Sequence, residues 1–205
     1  MRALTIRNIY DKKYSTLKLD GIYAEVFGEP EDNGAWLIYG LDKNGKTWLS
    51  LLLAEYLSHR NKVLFVSAEQ GVEKDFGDTC KRIGISETNK TIHVLGYTPI
   101  EELDVRLKKR KAEKLIFIDN ITTYEDELKK SRINKLLRDH SDKLFVFLAH
   151  EERNEPYLAA AKHVHKIAKI IMNVKGLQCT VSGRCPGGVL TIDEEKAQLY
   201  WGYNE

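Results

Sequence analysis

Gly40-Leu-Asp-Lys-Asn-Gly45-Lys46-Thr47 is the stretch that decides how this sequence reads. It is a full match to G-x-x-x-x-G-K-[ST]. Glycines let the backbone curl so that successive N–H groups point inward at phosphate oxygens. A helix that opens at Lys46 adds its positive N-terminal end. In this pattern the backbone and side chains of Gly40, Leu41, Asp42, Lys43, Asn44, Gly45, Lys46, Thr47 and Trp48 are the candidate nucleotide-binding set. Lys46 neutralises the β- and γ-phosphates and the Thr47 hydroxyl is a ligand for Mg²⁺, so the expected cofactors are ATP and Mg²⁺. Lys43 and Asn44 depart from the small residues common at those places, and Lys43 either adds charge near the γ-phosphate or points to solvent.

The flanks fit. Ala35–Tyr39 is an apolar run of strand length, and Lys46–His59 places Leu49, Leu52, Leu53, Tyr56 and Leu57 at helical spacing. Further on, Lys62–Ser67, Thr91–Leu95, Lys114–Ile118 and Leu144–Ala149 read as strands. Glu73–Ile83, Pro99–Lys109 and Tyr124–His140 read as the helices between them. Ile167–Val174, Leu177–Ser182, Val189–Ile192 and Gln198–Trp201 read as turn-linked strands. Near-continuous apolar strands separated by helices predict an α/β fold with a mostly parallel central sheet flanked by helices, followed by antiparallel C-terminal strands. Residues 1–34 form a lead-in, with Leu4–Ile9 and Ile22–Phe27 as possible short strands, and residues 35–205 the core.

Two further stretches carry acids at strand ends. Leu115-Ile-Phe-Ile-Asp119-Asn120 is an apolar strand ending in aspartate, the Walker B pattern, which sets Asp119 beside the phosphate loop to hold the Mg²⁺ shell. Val63-Leu-Phe-Val-Ser-Ala-Glu69-Gln70 ends the strand after the P-loop helix in a glutamate, placed to orient an attacking water.

Together the three stretches resemble the RecA-like ATPases, including RadA, DnaB-type helicases and KaiC, over about residues 28 to 203. The resemblance implies a RecA-like P-loop NTPase fold, Glu69 as the catalytic glutamate, and a polar γ-phosphate sensor at His150, after the strand Leu144–Ala149. Ser182-Gly-Arg184-Cys-Pro-Gly-Gly188 is similar to the K-x-R-x-G segment of DnaB-type helicases, in which the basic residues reach a neighbouring subunit's nucleotide. Arg184 takes the arginine's place, while Ser182 stands where the lysine is expected. The catalytic set implied is therefore Glu69, Lys46, His150 and Arg184. The implied activity is ATP hydrolysis, DNA-dependent and used in recombination, repair or replication. The implied partners are other copies of the chain, in a ring or filament, and single-stranded DNA. The alternative is an ATP-driven switch of KaiC type that does not touch DNA. A small-molecule kinase fits less well, because no arginine-bearing lid segment is visible.

Composition narrows these readings little. Over 205 residues the chain is 42% hydrophobic and 30% charged, with a formal net charge of +2, so any basic surface must come from local clustering. Lys108-Lys-Arg-Lys111 and Lys129-Lys-Ser-Arg132 are such clusters, the second near where related ATPases place a DNA-facing loop. The segment after His150, Glu151-Glu-Arg-Asn-Glu155, is acidic and repels phosphate. Three cysteines, Cys80, Cys179 and Cys185, lack a C-x-x-C spacing, which argues against a disulfide framework and against zinc. The absence of an apolar run of membrane-spanning length and of a signal-peptide core predicts a cytoplasmic protein with no membrane partner. Trp36, Trp48 and Trp201 read as core or near-core aromatics.

Overall fold

The computed structural model describes residues 3–202. Residues 1, 2 and 203–205, the outer ends of the two expected units, lie outside the described residues. In chain order the helices are α1 (Ile6–Tyr10), α2 (Gly21–Phe27), α3 (Lys46–Ser58), α4 (Lys74–Ile83), α5 (Ile100–Leu107), α6 (Lys130–Asp139), α7 (Ala159–Ile167) and α8 (Glu194–Trp201). The strands are β1 (Gly34–Gly40), β2 (Val63–Ser67), β3 (Ile92–Leu95), β4 (Leu115–Asp119), β5 (Leu144–Glu152), β6 (Glu155–Pro156), β7 (Ile170–Lys175), β8 (Gln178–Gly183) and β9 (Gly188–Thr191).

Alternation along the strands builds the layers. Trp36 and Ile38 of β1, Phe65 of β2 and Phe117 of β4 face one side, under α2, α3 and α4. Leu37, Leu64, Ile116, Phe145 and Phe147 face the other, under α5, α6 and α7. Both faces are fully covered, which is why these strands are apolar throughout. The sheet order is β3-β2-β4-β5-β1-β7-β8-β9, with β6 folded back on the end of β5. From β3 to β7 neighbouring strands are parallel, and β8 and β9 are antiparallel. β4 therefore lies between β2 and β5, and β5 lies beside β1. The C-terminal ends of β1, β2, β4 and β5, with Gly40, Ser67, Asp119 and His150, open on one side of the sheet.

Several expected strands are helices. The segment Leu4–Ile9 is not extended but leads into α1, because Thr5 accepts from the Asn8 N–H while the Asn8 side chain accepts from the Thr5 N–H, a reciprocal cap. Ile22–Phe27 is not a strand either. Within α2, Tyr23, Val26 and Phe27 share a helical face, and Phe27 stacks on Trp36 at 5.3 Å while Tyr23 meets Tyr56 at 4.3 Å. Gln198–Trp201, expected as a closing strand, is the end of α8, which starts where Asp193 caps the Lys196 N–H. Trp201 is 45% exposed, against the expectation of a near-core position, whereas Trp36 is fully buried. The expected helix Tyr124–His140 is broken. A 3₁₀ turn at Ile121–Tyr124, capped by Asn120, comes first, and α6 begins only at Lys130. The strand expected from Ile167 starts at Ile170, because α7 occupies Ala159–Ile167.

Candidate functional site

β1 delivers the chain to the P-loop through Gly40, which must be glycine. A Cβ there would stand 2.1 Å from the Val174 carbonyl oxygen of the adjacent strand. At the loop's far end Gly45 has φ 102° and abuts Leu177, so it too has no room or conformational licence for a side chain. Lys43 takes the left-handed conformation at φ 60°. Asn44 is a brace. Its Oδ1 accepts from the Gly176 N–H at 2.7 Å, its carbonyl accepts from the Leu177 N–H at 3.3 Å, and its Nδ2 donates to the Asp42 carbonyl. The phosphate loop is thereby tied to the turn between β7 and β8.

Lys46 is 8% exposed at the floor of a cleft of about 550 Å³. Its ammonium donates to the Leu41 carbonyl at 2.9 Å and lies 3.7 Å from Asp42. Burial lowers its pKa, against the opposing pull of Asp42, Asp119 and Glu69. Next to it, Thr47 Oγ1 donates to Asp119 Oδ2 at 2.8 Å. Burial pushes the Asp119 carboxyl up to about 6, opposed by the Thr47 hydrogen bond, reinforced by the charge of Glu69 and opposed again by Lys46.

Just past the end of β2, Glu69 Oε2 accepts from Asn120 Nδ2 at 3.1 Å and lies 3.5 Å from His150 Nε2. His150 Nδ1 contacts the Asp42 carboxylate without the alignment of a hydrogen bond. The Ala68 and Glu69 N–H groups both donate to the Asp119 carbonyl, locking the end of β2 to the end of β4. The structure thus brings Lys46, Thr47, Glu69, Asp119 and His150 into one cleft, with Asp42, Lys43, Gly45 and Trp48 on its lining. It does not bring in Arg184. That residue is exposed beyond the end of β8, where its backbone N–H donates to the Lys169 carbonyl, at the opposite end of the sheet.

The donors around Asp119 suit Mg²⁺. Thr47 Oγ1 and Asp119 are hard oxygen ligands, and Ser67 Oγ, buried on the same side of the sheet at the adjoining strand end, has no protein partner. Mg²⁺ takes one or two protein oxygens and completes its shell with water and phosphate. Among the described residues no three His, Cys, Asp or Glu side chains converge as a metal cluster.

Asn120, buried behind the cleft, and Arg82 and Lys196, on its lining, had no assigned role in the sequence. Asn120 stood in plain sight beside Asp119, but only the pairing of β2 with β4 shows that it holds Glu69. Arg82 of α4 and Lys196 of α8 both lie over the Trp48 indole, 5.8 and 4.5 Å from its centroid. They come from helices far apart in the chain, and no local pattern announces them.

The chain has the fold of the RecA-like P-loop ATPases. It is similar to the crystal structure of the flagellar accessory protein FlaH from Methanocaldococcus jannaschii, with TM-score 0.63 and 14% identity over 88% of this chain and 96% of that one. It is also similar to a KaiC-like protein from the hyperthermophilic archaeon Pyrococcus horikoshii, with TM-score 0.59 and 15% identity over 80% and 84% of the two chains. No family model matches the sequence, and no curated protein matches it significantly. Among the described residues no helix is long and apolar enough to cross a membrane.

Proposed function

We propose that this chain binds ATP with Mg²⁺ in the cleft and hydrolyses it, working as a nucleotide-driven switch in an assembly of its own copies. The observation that carries this reading is the pairing of Thr47 with Asp119 at 2.8 Å, at the strand end beside Glu69. Lys46 and the P-loop N–H groups bind the phosphates, and Thr47 and Asp119 would hold Mg²⁺, which when bound neutralises charge on the phosphate oxygens. Glu69 orients a water and takes its proton, with Asn120 and His150 fixing the carboxylate. The fold shared with a flagellar accessory protein and a KaiC-like protein supports the nucleotide-binding part of this reading.

DNA-dependent action is the second reading, drawn from the resemblance to recombination and replication ATPases. Against it stands the charge at the cleft end of the sheet. Glu125 and Asp126 after β4, with Glu151, Glu152 and Glu155 on the β5–β6 hairpin, crowd the surface that a phosphate backbone would meet. Arg132, counted among the DNA-facing cations, is engaged by Glu101 at 2.6 Å. The expected result is an ATPase rate unchanged by single-stranded DNA in low-salt buffer. Stimulation of severalfold, lost as salt rises, would reverse the order of the two readings.

Arg184 can meet a phosphate only if a second copy presents its cleft, so its role as a finger is tied to assembly. Arg184→Ala is expected to bind nucleotide normally and lose turnover, about 10³-fold for a finger of ordinary strength. Mixing it with Glu69→Ala protein restores part of the rate, since mixed pairs contain one intact shared site. Full activity of Arg184→Ala alone removes the finger from the mechanism.

A further inference from the structure

The Asp42 side chain reaches two groups that the proposed reaction needs. Its carboxylate stands 3.7 Å from Lys46 Nζ and contacts His150 Nδ1. It is 73% exposed, so charge rather than packing holds it there. Its backbone is pinned, because the Asn44 side chain donates to the Asp42 carbonyl at 2.9 Å. The other nitrogen of His150 faces Glu69, and Glu69 is held by Asn120. A chain of carboxylate, imidazole, carboxylate and amide therefore runs from the P-loop across the cleft to the start of the 3₁₀ turn.

A phosphate loop normally offers only N–H groups and cations to its ligand. Here the loop carries its own anion, tethered beside the lysine. His150 and Glu69 mark the end of the cleft where the terminal phosphate must lie, because Glu69 has to reach the attacking water. A triphosphate entering that end takes Lys46 and His150 away from Asp42 and leaves like charges facing each other. A diphosphate, shorter by one phosphate, takes Lys46 but leaves the contact between His150 and Asp42.

Resting on the reading of the cleft as an ATP site, we propose that Asp42 is a specificity-determining residue, an internal competitor for the terminal phosphate that weakens triphosphate binding more than diphosphate binding. The competitor keeps the substrate complex from becoming too tight relative to the product complex, which suits a switch that must let both exchange.

The test is calorimetric titration of the full chain with a non-hydrolysable ATP analogue and with ADP, each with Mg²⁺. Wild type, Asp42→Asn and, as a control for the site, Lys46→Ala are compared. The expected result for Asp42→Asn is about tenfold tighter binding of the triphosphate analogue and a change of no more than about threefold for ADP. The tenfold gap narrows at 0.5 M salt, because the repulsion being removed is exposed and screened (a Debye length of about 4 Å at that salt). Equal tightening of both nucleotides overturns the proposal, and so does weaker binding of the triphosphate, which would make Asp42 a positioning group for the metal's water shell. Wild-type protein that binds neither nucleotide overturns the reading of the cleft itself. Wild type and Asp42→Asn with the same affinities, both abolished in Lys46→Ala, overturn only the role given to Asp42.

Discussion

Glu69→Gln is expected to bind ATP and Mg²⁺ with wild-type affinity and to turn over at about 1% of the wild-type rate or less. Glutamine keeps the length and shape of the side chain and can still accept from Asn120 Nδ2, now at 3.1 Å from Glu69. What it loses is the negative charge and the ability to take a proton. A positioned general base contributes about 10²–10⁴ in rate, which sets the size of the loss. Binding survives because the side chains of Lys46, Thr47 and Asp119 make no hydrogen bond to the Glu69 side chain, and the bond from the Glu69 N–H to the Asp119 carbonyl is backbone and unchanged by the substitution. Single-turnover hydrolysis, followed with a separate titration of nucleotide affinity, checks both halves. A rate within about threefold of wild type would mean that some other group activates water.

The second large effect has two signs. With neither Mg²⁺ nor nucleotide in the solution, Asp119→Asn is expected to be more stable than wild type at pH 8. Asp119 is 3% exposed, and burial holds its carboxyl at about 6 against an ordinary 3.8. Its folded-state pKa is raised, so its full contribution is present below about pH 4. That contribution falls as the pH climbs toward 6 and is gone above it. The gap corresponds to about 3 kcal/mol. Asparagine keeps the acceptor for Thr47 and never ionises, so its advantage over wild type grows from about pH 4 to about pH 6 and then levels off. Adding Mg²⁺ and an ATP analogue reverses the order, because the wild-type carboxylate gains a cation and asparagine is a poor substitute. Thermal unfolding at pH 5 and pH 8, with and without ligand, reads both effects. An Asp119→Asn protein less stable than wild type at pH 8 in plain buffer would show that burial does not govern this carboxyl.

The alternating core was legible because its two signals are local. Continuous apolar strands such as Leu115–Asp119, and a phosphate loop between a strand and a helix, require only neighbours in the chain. Asp119 and Glu69 stood out as acids at strand ends, while His150 was chosen through the resemblance to the RecA-like ATPases. The misread segments are those whose conformation depends on distant partners. Ile22–Phe27 is as apolar as a strand, yet Tyr23, Val26 and Phe27 share a helical face because Trp36 and Tyr56 wait to receive it. Gln198–Trp201 is aromatic and short, but the Asp193 cap starts a helix before a strand can pair. In the site, Asn120 hides behind a single-residue shift. The aspartate of the strand end was visible, while the amide beside it acquires its purpose only when β2 and β4 lie side by side. Arg82 and Lys196 meet over Trp48 from helices more than a hundred positions apart, a distance no motif spans.

Asn44 gives the fold a mechanical property. It grips the turn between β7 and β8 through both its side chain and its backbone. β8 leaves that turn and runs about 17 Å to Gly183, at 3.4 Å per residue. Arg184 stands at its tip. The hairpin is thus a strut built into the sheet, with one end tied to the phosphate loop and the other carrying a cation to the far rim. Because β7 and β8 are sheet strands, a shift of the phosphate loop loads the same hydrogen-bonded frame that seats Arg184.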